Sequence, residues 1–159
     1  MKYSLVKTLL LLLLLASMAF ADQSIDHDSG LTVTHPDGWS ALVDPANDEN
    51  MLISSPDRRW LAAFSLVRSE SAQGAASQVL EEMTKMVSHP KIRDQQNRDI
   101  HGLSAYVVTG YGDHPYQYWI AAYVEHAGKV YLIRGAGSES GWGWEDGPAA
   151  KVVYGLHNK

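Results

Sequence analysis

Seven consecutive leucines, Leu9 to Leu15, dominate the start of the hydrophobic pattern, with Lys2 and Lys7 ahead of them and Ala19-Phe20-Ala21 behind. A basic start, a short apolar stretch and small residues at alternate positions before Asp22 predict a cleavable secretory leader over residues 1–21. The apolar stretch is too short for a membrane span, which needs about 20 apolar residues. Residues 22–159 are therefore expected to form a single exported domain with no stable membrane insertion, and residues 22–30, polar and acidic, a flexible lead-in.

From Leu31 the pattern alternates. Leu31-Thr32-Val33-Thr34-His35 predicts a strand, stopped by the turn residues Pro36-Asp37-Gly38. Trp39–Val43, Met51–Ser54 and Trp60–Val67 follow as strands separated by the turn-forming segments 44–48 and Pro56-Asp57. At Ala72 the period changes. Ala72, Ala75, Ala76, Val79, Leu80, Met83, Met86 and Val87 recur three and four apart, which predicts one amphipathic helix ending before Pro90.

Strand character then returns in Ile92–Ile100, Leu103–Tyr111, Tyr116–Glu125 and Lys129–Arg134, and the short joints His101-Gly102 and Ala127-Gly128 predict an antiparallel meander. In Tyr116–Val124 one face carries Tyr116, Tyr118, Ile120, Ala122 and Val124, and the other Trp119, Ala121 and Tyr123. Both faces are apolar, so the middle of the sheet is expected to be covered on both sides. A Gly- and Ser-rich loop over 135–147 precedes a short helix with Pro148 in its first turn and Ala149, Val152, Val153 and Leu156 on one side. Strands, helix, meander and helix in that order predict an α+β fold with a mostly antiparallel sheet.

Composition narrows the function. Without residues 1–21 the chain is 138 residues long and its formal charge moves from −5 to −7, because the leader holds two lysines and no acid. No basic footprint for nucleic acid remains. The sequence contains no cysteine, which excludes disulfides, thiol catalysis, Cys-based metal sites and an acylated lipoprotein anchor. Stability must come from packing.

Candidate chemistry is sparse. Gly135-x-Gly137-x-x-Ser140 imitates half of a dinucleotide fingerprint, but no second parallel strand follows to supply the ribose-binding acid, and serine replaces the last glycine. The seven histidines show no His-Glu-x-x-His spacing, and no Gly-x-Ser-x-Gly pentapeptide occurs. Glu81-Glu82 and Glu145-Asp146 suit helix faces and helix starts better than a glycosidase dyad, since neighbours on a helix point about 100° apart. Asp113-His114, in a loop between strands, is a candidate metal-assisted or hydrolytic centre, with turn chemistry as its simpler explanation. The aromatic set has more to offer. Trp142 and Trp144 sit in the Gly-rich loop, and Tyr116 and Tyr118 flank the Asp113-His114 loop, so these four are the candidate partner-binding residues.

The segment Leu31-Thr-Val-Thr-His-Pro-Asp-Gly-Trp39, the Ile100-His-Gly-Leu-Ser-Ala-Tyr106 hairpin and the Tyr116–Arg134 strand pair before a closing helix resemble the PsbP-like and DcrB-like proteins. The resemblance spans nearly all of residues 22–159, and it rests on Pro36, Gly38, Trp39, Gly102 and Ala105 together with segment order. It implies an α/β/α sandwich with a mostly antiparallel sheet covered by helices. Relatives of this kind are mostly not enzymes; they include a photosystem subunit, a Ran-binding factor, bacterial envelope proteins and chaperones that hold hydrophobic segments of secreted toxins. The missing lipidation cysteine departs from the DcrB-like envelope lipoproteins. The expectation is a periplasmic or secreted, non-catalytic module that binds an envelope or secreted protein as chaperone, accessory subunit or inhibitor, without cofactor or metal. The alternatives are a small hydrolase or metal-assisted enzyme at Asp113-His114, and a lipid or small-ligand carrier with a pocket between helix and sheet.

Overall fold

The computed structural model describes residues 22–44, 47–113, 118–137 and 147–159. Among them the chain forms β1 (Gln23–Asp26), β2 (Leu31–His35), β3 (Ser40–Asp44), β4 (Asn47–Ser54), β5 (Trp60–Val67), α1 (Ala72–Ala76), α2 (Val79–Thr84), β6 (Lys91–Ile100), β7 (Leu103–Tyr111), β8 (Tyr118–His126), β9 (Lys129–Gly137), α3 (Pro148–Tyr154) and β10 (His157–Asn158).

Seven strands make one sheet in the order β3-β4-β5-β9-β8-β7-β6, antiparallel throughout. The chain leaves the middle of this sheet after β5, crosses over α1 and α2, enters at the far edge as β6 and returns strand by strand until β9 pairs with β5. Two hairpins of the meander turn at His101-Gly102 and Ala127-Gly128, where all four residues have positive φ, between 49° and 83°. That backbone matches the right-handed twist of the flanking strands, and glycine accepts it at the second position without steric cost.

A second, three-stranded sheet, β1-β2-β10, was not expected. The lead-in 22–30 is no loose tail: β1 pairs antiparallel with β2, Thr32 Oγ1 donates to Asp26 at 2.8 Å, and Ser24 and Thr34 hydroxyls meet at 3.1 Å. A polar segment can form this strand because one neighbour satisfies its backbone while its side chains stay largely in water.

The main sheet buries two cores. On one face Ile120, Ala122, Val124, Ile133, Phe64 and Ile53 pack with Leu31 and Val33 of β2 and with Ala150, Val152, Val153 and Leu156 around α3. On the other, Trp119, Ala121, Tyr123, Leu132 and Val108 pack with Ala75 and Ala76 of α1 and Val79 and Met83 of α2. The face assignment read from the alternation in β8 therefore holds. The architecture is α+β around an antiparallel sheet, and among the described residues its helices are few and short.

The single helix expected over 72–87 is two. Gly74 lowers helix propensity, and the Ser77 hydroxyl bonds back to the Gly74 carbonyl at 2.8 Å in place of a continuing ladder. Helix packing is concentrated on the middle strands: α1 lies on β7, β8 and β9, and α3 on β2, β5, β8 and β9. Towards the β3 side the apolar Leu42, Val43 and Leu52 remain exposed.

Candidate functional site

The register of the main sheet aligns Leu42, Leu52, Ala63, Arg134 and Ala121 in one row across β3, β4, β5, β9 and β8. Because side chains opposite one another share a face, the whole row points to the α2 side. Ala121 lies under the helices, whereas Leu52 is 45% and Leu42 66% exposed. The uncovered part of this face is the floor of an open groove of about 640 Å³, walled by Gln78, Glu82 and Lys85 of the α2 segment.

Arg134 marks the boundary between covered and uncovered sheet. Its side chain is 12% exposed, and Nη1 donates to Glu82 Oε2, while Lys85 Nζ binds both Glu82 oxygens at 2.8 and 3.0 Å. Burial pushes the Glu82 carboxyl up, but the Lys85 and Arg134 bonds outweigh it and hold it below the usual glutamate value. Two buried groups here, Arg134 Nε and the Tyr123 hydroxyl, have no hydrogen-bond partner among the described residues. Burial, and then the Glu82 charge, push the Tyr123 phenol up, so it stays protonated. Arg68 also lines the groove, so that its described lining includes three cationic side chains and one carboxylate. An orphaned buried hydroxyl costs about 1–3 kcal/mol. Tyr123→Phe should accordingly raise stability by about 1 kcal/mol in urea denaturation, whereas a phenol bonded within the fold would show a loss.

Of the sequence-predicted site residues, Tyr116, Trp142, Trp144 and His114 lie outside the described residues. Tyr118 begins β8, opposite Tyr111 and Gly137, and by the alternation of the strand shares the face of Ile120 and Ala122, away from the groove. Asp113 is exposed and bound to Lys91 Nζ at 2.6 Å, with His89 Nδ1 at 3.3 Å. The Lys91 bond lowers its pKa, so it is a carboxylate engaged in a surface ion pair. Among the described residues no group of three His, Asp or Glu side chains is placed to hold a metal ion.

Gly135 and Gly137 are not in a loop: both lie within β9, with Ala149 and the Trp60 ring against them, so the dinucleotide resemblance has no structural basis. Sequence reasoning missed the groove. The one signal for it was Arg134 itself, a charge inside the otherwise apolar stripe Val130, Leu132, Ala136.

With these strands, the two-faced core and the crossover in place, the fold is PsbP-like. The solution structure of the cyanobacterial PsbP protein CyanoP from Synechocystis sp. PCC 6803 superimposes with a TM-score of 0.66 at 15% sequence identity, over 87% of this chain and 93% of that one. LpqN of Mycobacterium tuberculosis, described as involved in cell envelope biogenesis, superimposes with a TM-score of 0.53 at 16% identity, over 85% of this chain and 88% of that one. No protein-family model matches the sequence, and no curated protein matches it.

Proposed function

We propose that this chain is an exported, non-catalytic binding module, periplasmic or secreted, that holds a segment of another envelope or secreted protein in the groove beside α2. The observation that carries this reading is the groove itself: exposed Leu42 and Leu52 lie in register with the nearly buried Arg134 on a sheet face that α1 and α2 cover elsewhere. An apolar floor whose described lining carries more cations than carboxylates fits a polypeptide segment that is apolar on one side and acidic on the other. An open trough suits a chain that keeps one side in water better than a small ligand, whose sites bury about 70–90% of its surface. The leader-like residues 1–21 support export, and the fold shared with LpqN, a protein of cell envelope biogenesis, supports an envelope setting.

A photo-crosslinking amino acid at Leu52 should capture one discrete partner in intact cells, while the same probe at exposed Gln96 on the opposite edge should not. Leu52→Asp should abolish capture by a probe at Gln78, on the opposite wall of the groove, with unchanged circular dichroism. Equal capture from both edges would remove the groove from consideration.

A further inference from the structure

The two edges of the main sheet are built differently. The β6 edge is Lys-Ile-Arg-Asp-Gln-Gln-Asn-Arg-Asp over 91–99, exposed along nearly its whole length and broken by a register shift between Ile92 and Asp94. Charges and an irregularity of this sort stop an edge from recruiting another strand. The β3 edge has neither defence over Ser40–Val43: it reads Ser-Ala-Leu-Val, with Leu42 66% and Val43 42% exposed, and its irregularity falls only after Val43.

We propose that β3 is a self-complementary edge through which two copies of this chain pair antiparallel, joining their seven-stranded sheets into one. The register that the pattern selects puts Leu42 opposite Leu42 of the second copy, about a two-fold axis perpendicular to the sheet. Ala41 then faces Val43 in both directions, an uncharged match that stops short of the irregularity after Val43. Leu42 already pairs with Leu52, so the joined sheet carries four leucines in one row across the axis. Cross-strand apolar pairs are what stabilise such a junction. Any other partner strand would need its own matched sequence; a second copy supplies the match by symmetry, as an isologous interface does. The outer edges of the pair are both β6, so assembly stops at two.

This interface goes beyond the groove reading and shares only Leu42 with it, because pairing in the plane of the sheet leaves Leu52, Ala63 and Arg134 open on the α2 face. A short strand pair lies at the small end of specific interfaces, so the dimer is reversible.

The sequence has no cysteine, so one introduced cysteine can form a disulfide only between copies. Directly opposed residues in an antiparallel pair have Cα atoms about 4.5–5.5 Å apart, within disulfide reach. Leu42→Cys should oxidise to a covalent dimer much faster than Gln95→Cys on the β6 edge. Sedimentation velocity of the unsubstituted protein over about 1 µM to 1 mM, spanning weak affinities, should show a monomer–dimer equilibrium. Leu42→Lys should weaken it by about tenfold or more, since it sets like charges face to face, with the circular dichroism spectrum unchanged. A protein monomeric over the whole range, a dimer indifferent to Leu42→Lys, or equal crosslinking from Leu42→Cys and Gln95→Cys would overturn the proposal. Because none of these measurements involves a groove ligand, their failure leaves the crosslinking from Leu52 to be judged separately.

Discussion

Gly110→Ala is expected to lower stability by about 3 kcal/mol, the upper end of the ordinary cost of overpacking. Gly110 stands in β7 directly opposite Trp119 of β8. A methyl group on Gly110 would fall on the Trp119 indole and the Lys91 carbonyl oxygen, and neither can yield cheaply. The indole is 1% exposed within the α1–α2 core, and its Nε1 donates to the Tyr111 carbonyl at 3.3 Å. The carbonyl belongs to the β6–β7 pair. Typical domains are stable by only about 5–15 kcal/mol, and this one has no disulfide to fall back on. Urea denaturation monitored by tryptophan fluorescence should show the loss as a lower midpoint. A change below about 1 kcal/mol would mean that the ring does not lie across Gly110.

Glu82→Leu should cost about 2–3 kcal/mol, because it strands the Arg134 guanidinium with no carboxylate in a site where its side chain is 12% exposed. Breaking a fully buried pair costs about 3–5 kcal/mol, and the open groove lets water reduce that figure. Glu82→Leu combined with Arg134→Met should recover most of the loss, since an apolar pair of similar volume needs no desolvated charge. The pH dependence has a definite sign. The folded Glu82 carboxyl titrates below the ordinary glutamate value of 4.5, so its stabilising effect is complete above that value and disappears as pH falls through the lower, folded one. Wild type and Glu82→Leu should therefore differ most near neutral pH and converge in acid, in thermal unfolding between about pH 3 and pH 7. Parallel curves down to the lowest pH would show that the ion pair contributes nothing.

The elements of this fold were legible where periodicity is strong. Trp60–Val67 and Leu103–Tyr111 have the strand bounds that the alternation predicts, and Ala149, Val152, Val153 and Leu156 are all buried around the closing helix. Local pattern failed where a distant partner decides the structure. β1 is a strand only because β2 satisfies its backbone, and two-residue β10 only because it reaches the other side of β2. The glycines of 135–137 resemble a loop in sequence, yet they continue β9 because Trp60 and Ala149 occupy the room their side chains would have taken. The candidate site was hidden for a related reason. The aromatic candidates Trp142, Trp144 and Tyr116 lie outside the described residues, and Tyr118 is on the other face; the groove depends on which strands the helices leave uncovered, and the row from Leu42 to Arg134 exists only through strand pairing.

The order in which the strands are threaded also governs when the molecule can be finished. β5 and β9, neighbours at the heart of the sheet, join Trp60 to Gly137 and Val67 to Val130, contacts between far-separated parts of the chain. Such long-range closures are slow. A polypeptide delivered amino end first could assemble β3, β4 and β5 early, but it would have no central seam until the residues through Gly137 had arrived. The centre of the sheet is therefore set only once the last third of the chain is present to meet β5.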